Sequence, residues 1–220
     1  EYNRETKLWN SVYRESPSAD LRKEELTVEP MFDGCLRYFA EHTRRVLDFG
    51  CGSGDILFQY HQYTPKNRGV GIDESKEGIC SAKKTAQLRG YQNLNFFEAD
   101  VSMLDIFETG EFDGIILSNV LDVMPENVAI DLLDRLDHIT KKNGYWFIKL
   151  NPYYTQEELK SFGYHQLQPR LYDDQGVLRL RQESTGYWEE VLDRYGTIED
   201  YLEFSYPWQK GMNRLLLLKH

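Results

Sequence analysis

Asp48 stands two residues before Gly50, the first of three alternating glycines, Gly50, Gly52 and Gly54. Glycine has no Cβ and tolerates positive φ, so a turn built this way lets backbone N–H groups come close to a ligand. Val46, Leu47 and Phe49 form a short β-rich run before the turn, and Ile56-Leu57-Phe58 open an apolar helical pattern after it. A strand therefore enters a tight turn and leaves as a helix, the arrangement of a nucleotide-type cofactor loop. A dinucleotide loop reads GxGxxG and would place its third glycine where this chain carries Asp55.

The acid at Asp48 disfavours a phosphate and suits a cation. S-adenosylmethionine is such a ligand, with an ammonium, a sulfonium and an adenosine but no phosphate. On Asp48 and the GxGxG run, the chain resembles the class I S-adenosylmethionine-dependent methyltransferases, whose first motif is an acid followed by GxGxG. The resemblance implies that Asp48, Gly50, Cys51, Gly52 and Gly54 hold S-adenosylmethionine, with S-adenosylhomocysteine as product.

Gly69-Val70-Gly71-Ile72-Asp73 reads as the next strand, ending in an acid 25 residues after Asp48. In a βαβ unit a carboxylate at that tip can accept two hydrogen bonds from ribose hydroxyls. Alternatively Asp73, or Ser75, caps the helix that follows. Leu94 to Ala99 reads as a third strand, and Asp100 and Val101 after it match the family's adenine-binding position. The other reading of Asp100 is a cap for a helix over 102–107. The apolar run from Gly114 to Leu121 suits a strand buried on both faces. Ser118, Asn119 and Asp122 would then stand at the carboxyl edge of the sheet, where ligands bind in open α/β folds. Ser118 and Asn119 are expected on the cofactor and Asp122 on the acceptor side, as the first candidate base, followed by a tyrosine or His61.

The remaining elements position these residues. A helix from Pro30 toward His42, one from Pro125 through Ile139, and strands over 145–150, 198–206 and 214–219 complete the pattern. Two alternating stretches, 167–171 and 177–181, flank Asp173-Asp174-Gln175-Gly176 as a β-hairpin over about 164–182. The fold expected is α/β, a Rossmann-like doubly wound sheet of seven mostly parallel strands with an antiparallel last strand, plus the inserted hairpin. Residues 43–220 would form that domain and 1–42 an N-terminal helical arm. In the arm, Trp9 and Tyr13 are four apart on a short amphipathic helix that Ser16-Pro17-Ser18 breaks. They either anchor the arm by their apolar rings or close it over the cofactor as a lid.

Composition narrows the partners. A formal net charge of −10 over 220 residues disfavours sequence-independent binding to nucleic acid or anionic membrane, which rests on Lys and Arg neutralising phosphates. No apolar run approaches the ~18 residues of a membrane span, and nothing suggests a secretory leader, so a cytoplasmic home is expected. Cys35, Cys51 and Cys80 are scattered and odd in number, reading as reduced thiols rather than a disulfide framework or a metal site. Asn151-Pro152-Tyr153-Tyr154 resembles the tetrapeptide of nucleobase-amine methyltransferases but follows the fifth strand and lacks the second proline, which counts against base methylation. The expected activity is methyl transfer to a small-molecule acceptor by in-line displacement. A protein or RNA acceptor, or a non-catalytic S-adenosylmethionine-binding module, is the alternative, and a homodimer is left open.

Overall fold

The structure, a computed structural model, describes residues 2–15, 18–23, 26 and 29–220. Strand β1 (Arg45–Phe49) lies at the centre of a seven-stranded sheet. It pairs in parallel with β2 (Arg68–Asp73) on one side and β4 (Phe112–Ser118) on the other. Outside these lie β3 (Leu94–Glu98), beside β2, and β5 (Thr140–Leu150), beside β4, both parallel. The final strand β10 (Asn213–Lys219) is antiparallel to β5 and to β9 (Thr197–Phe204), giving the order β3-β2-β1-β4-β5-β10-β9. Only β10 runs against the rest, as expected.

Period-two alternation splits these strands between two cores. Val46, Ile116, Phe147 and Leu215 face one side, where they meet α2 (Pro30–His42), α3 (Asp55–Tyr63) and α4 (Lys76–Arg89). Leu47, Ile115, Leu117, Trp146, Ile148 and Leu216 face the other, against α5 (Glu126–Ile139) and α7 (Thr185–Leu192). Because α2 buries Phe32, Cys35, Leu36, Phe39 and Ala40, it belongs to the sheet's own core. Only α1 (Tyr2–Glu15) stands apart as an arm. The expected break at Ser16-Pro17 lies outside the described residues.

The inserted segment is a three-stranded antiparallel sheet rather than a two-stranded hairpin. Its strands are β6 (His165–Gln168), β7 (Leu171–Asp174) and β8 (Val177–Arg181). Asp173 and Asp174 are strand residues, and the turn proper is Gln175-Gly176, both at positive φ, the two-residue geometry that matches strand twist. Asp173 still shapes the turn by accepting the Gly176 N–H at 2.6 Å. A second turn through Arg170, also at positive φ, joins β6 to β7 and has no glycine to mark it in the sequence. The short helix α6 (Gln156–Ser161) was not expected either, although its capping box, Thr155 with Glu158, is readable as T-x-x-E. Among the described residues no helix is long and apolar enough to cross a membrane.

Candidate active site

The carboxyl end of β1 feeds straight into the glycine turn. Gly50 and Cys51 both donate backbone N–H bonds to the Ile72 carbonyl, at 2.8 and 3.1 Å, fixing the turn against β2. Gly50 (φ 75°) lies so close to Val120 that a Cβ there would sit 2.6 Å from its Cγ2. At Gly52 (φ 53°) a Cβ would meet the Tyr13 hydroxyl at 2.1 Å, so the absence of a side chain is what admits the arm. Gly54 is the N-cap of α3 and supplies no side-chain cap, which leaves the first amides of α3 available to a ligand.

A cavity of about 380 Å³ opens above this turn. Asp48 lines it while only 1% exposed, and neither carboxylate oxygen has a hydrogen-bond partner among the described residues. Burial, reinforced by the nearby Asp73 and Asp55 carboxylates, pushes its pKa well up. A buried carboxylate without a partner is costly, and a bound cation would satisfy it.

Asp73 stands at the tip of β2, on the cavity wall. Its Oδ2 accepts the Gly52 N–H at 2.8 Å and its Oδ1 the Ser75 N–H at 2.7 Å, so it braces the glycine turn. Each oxygen retains a second lone pair on the cavity wall. The cap of α4 falls to Ser75, whose Oγ accepts the Gly78 N–H. Burial raises the Asp73 pKa, opposed by those two backbone donors.

Asp100 goes the other way. It caps a 3₁₀ turn over Val101–Ile106, its Oδ1 accepting from Ser102 N and Oγ at 2.8 and 2.5 Å. The cavity wall reaches Ala99 but includes neither Asp100 nor Val101. Ser118 and Asn119 do line it, at the end of β4. Asn119 takes positive φ (54°), donates its N–H to the Lys149 carbonyl at 2.8 Å and accepts from Lys149 Nζ at 2.9 Å.

Asp122 lines neither this cavity nor the second one that Asn119 borders. It is fully buried, and its oxygens accept from Asn151 N at 2.6 Å and Asn151 Nδ2 at 3.2 Å. That placement corrects the expectation of an acceptor-side base: Asp122 ties the turn after β4 to the end of β5. His61 is likewise remote from the cavity wall, buried against Tyr91 and bonded to Asn93 Oδ1 at 2.9 Å.

Helix α1 roofs the cavity with Trp9 and Tyr13, whose rings stack at 6.0 Å. The arm is held by polar bonds that its sequence did not signal. Asn10 Oδ1 accepts from Ser75 Oγ at 2.9 Å and from Glu77 N at 3.1 Å, while Arg14 pairs with Glu77 at 3.3 Å. Lys149 was also missed, although a lysine inside the apolar run of β5 was a visible anomaly. Trp9 and Tyr13 both line the cavity, and Tyr13 also packs against Gly52 and Gly78.

The model of a methyltransferase domain family matches residues 41–187, two thirds of the chain. The chain belongs to that family. It is an S-adenosylmethionine-dependent methyltransferase of class I, and the fold agrees with the resemblance carried by Asp48 and the glycines. Among curated relatives, the methyltransferase is 28% identical over 177 residues to the protein-lysine N-methyltransferase EFM4 of Saccharomyces cerevisiae, covering 70% of this chain and 76% of that one. It is 33% identical over 110 residues to an uncharacterized protein of Rickettsia prowazekii, covering 50% of this chain but only 43% of that one. A solved structure of the 1,6-didemethyltoxoflavin-N1-methyltransferase of Burkholderia thailandensis, with 1,6-didemethyltoxoflavin and S-adenosylhomocysteine bound, superposes with a TM-score of 0.70. That match is 17% identical and covers 97% of this chain and 86% of the other. A Pyrococcus horikoshii protein gives 0.69 at 20% identity, covering 86% and 88%. At these identities the structural matches speak for the fold alone.

Proposed function

We propose that the methyltransferase binds S-adenosylmethionine beneath α1 and passes its methyl group to a small-molecule acceptor on the Asn119 side of the cavity. One observation carries the cofactor assignment: the buried, unpartnered Asp48 carboxylate in the cavity wall, which a ligand ammonium would satisfy. Asp73 would hold the ribose through its remaining lone pairs, and the Gly50–Gly54 backbone would lie along the ligand. When bound, S-adenosylmethionine supplies a methyl group already activated by the sulfonium charge.

The protein's task is then to align the acceptor and exclude water. Trp9 and Tyr13 cover the cavity, and Ser118 and Asn119 mark the side from which an acceptor approaches. The small-molecule reading rests on the second cavity, about 650 Å³, which shares Asn119 with the lining of the first and includes Lys149 of β5.

The test is calorimetric titration with S-adenosylhomocysteine beside NAD. Wild type should bind S-adenosylhomocysteine and not NAD, and Asp73→Ala should weaken binding ten-fold or more (~1.4 kcal/mol). Equal heat from NAD, or an unaffected variant, would overturn the assignment. A protein acceptor is the second reading, supported by the likeness to the yeast lysine methyltransferase across 76% of its length. Incubation with labelled cofactor and a fractionated cell extract separates the two: label in the dialysable fraction supports the small molecule, and label on protein supports the second reading.

A further inference from the structure

We infer that the second cavity is an acceptor pocket for a planar ring bearing an acidic hydroxyl, bound as its oxyanion against the ammonium of Lys149. The inference rests on the proposed function and adds the acceptor's chemical class. Tyr154, Phe162, Tyr164, Tyr206 and Trp208 supply the walls, and Lys149 is the buried cation among them, with Lys210 at the rim. Tyr206 and Trp208 stack nearly parallel, 7° apart with centroids at 5.0 Å, while Phe162 stands edge-on to Tyr154 at 5.0 Å. Flat, rigid aromatic walls favour a flat ligand, which gains stacking at little conformational cost.

The charge of the pocket selects the ligand further. Lys149 is only 5% exposed, and its Nζ lies 5.9 Å from the Tyr206 ring centroid. Among the described residues Asn119 Oδ1 is its one hydrogen-bond partner, so two of its three N–H donors remain for a ligand. The nearest buried acid, Asp122, is already occupied by Asn151 and also feels Arg214. Among the described residues no carboxylate is bonded to Lys149, whereas Arg214 also feels Glu203, and Lys210 on the rim faces Glu158. An anionic oxygen would pair with the Lys149 ammonium, whereas an ammonium acceptor would be repelled by it. Burial lowers the Lys149 pKa to about 8, partly restored by Asp122, so an incoming oxyanion would also favour its charged form.

The two cavities thus carry opposite preferences. Asp48 and Asp73 line the one assigned to the cationic cofactor, and Lys149 lines the one assigned to the acceptor. Asn119 lines both, and its side chain accepts from Lys149 Nζ.

The test uses the full chain saturated with S-adenosylhomocysteine and three probes of similar shape: 4-nitrophenol, nitrobenzene and 4-nitrobenzylamine. Near neutral pH, 4-nitrophenol should bind at least ten-fold more tightly than either of the others, and its absorbance should shift toward the phenolate on binding. Lys149→Met should abolish both the preference and the shift while keeping S-adenosylhomocysteine binding, and Lys149→Arg should restore them in part. Trp208 is 69% exposed, so Trp208→Ala is a second variant free of folding risk and should weaken all three ring probes. Equal binding of phenol and nitrobenzene, tighter binding of the amine, or a phenolate shift that survives Lys149→Met would overturn the inference. Loss of S-adenosylhomocysteine binding by wild type would instead overturn the cofactor assignment.

Discussion

Asp48 combines a stability cost with the cofactor-binding role proposed for it. In the folded chain its proton affinity is raised by burial and by two neighbouring acids. Between the unfolded and folded pKa values the native state therefore holds more protons than the unfolded state. Its contribution to stability is complete below the unfolded value and is lost as pH rises through the folded one. Asp48→Asn removes that loss without changing shape. The variant without ligand should melt about 2–4 °C higher than wild type at neutral pH, if ~1 kcal/mol is recovered, and the gap should close toward pH 4. Its affinity for S-adenosylhomocysteine should fall, since the amide offers the ligand ammonium no charge. Melting curves across pH and a calorimetric titration check both halves; a variant equally stable at both pH values would show that Asp48 carries no desolvation cost.

At the scale of elements, polar side chains tie two additions to the central sheet. Asn10 joins α1 to the first turn of α4, where its Oδ1 accepts from Ser75 Oγ and Glu77 N. Asn10→Ala should leave the sheet intact and loosen the roof. Amide exchange over α1 should quicken without ligand, and S-adenosylhomocysteine should dissociate several-fold faster. Exchange confined to wild-type rates would mean that the other contacts of α1, the Arg14–Glu77 pair and the Trp9 and Tyr13 rings among them, hold it without Asn10. The three-stranded insertion is anchored by Arg181 of β8, which is 4% exposed. Its guanidinium donates to the Leu121 and Met124 carbonyls at 3.3 and 3.2 Å and lies 4.6 Å from the Trp188 ring centroid. Arg181→Met should cost about 2–4 kcal/mol, because two buried carbonyls lose their donor. Urea denaturation measures this, and a midpoint like that of wild type would place the anchor elsewhere.

The molecule as a whole is a sheet with a core on each face and the proposed binding residues gathered at the carboxyl ends of the parallel strands. The roof α1 contacts the glycine turn and α4 rather than the core, so a ligand beneath it should link arm and sheet. S-adenosylhomocysteine at one hundred times its Kd should stabilise the native state by ~2.7 kcal/mol. For a chain of this size that is a rise in Tm of roughly 5–10 °C. A scan with increasing ligand checks the logarithmic growth; a flat response would be inconsistent with a site that exists only in the folded state.

Local signals were strong wherever backbone and side chain made the same demand. The β1–glycine–α3 unit, Asp73 at its strand tip and the two-faced apolar strands could all be read from period and residue type, because those features depend on neighbours within a few positions. Tertiary structure decided what depends on groups distant in the chain. Asp122 looked like an exposed edge acid, yet Asn151, 29 residues on, takes both its oxygens into the interior. Lys149 stands inside the apolar run of β5, yet it lines a cavity with rings from residues 154, 164, 206 and 208. Asn10 carried no signal at all, since its partners begin 65 residues later. Spacing along the chain specifies a strand, a turn or a cap, but the pairing of a buried charge is set by whichever segments the sheet order brings alongside it.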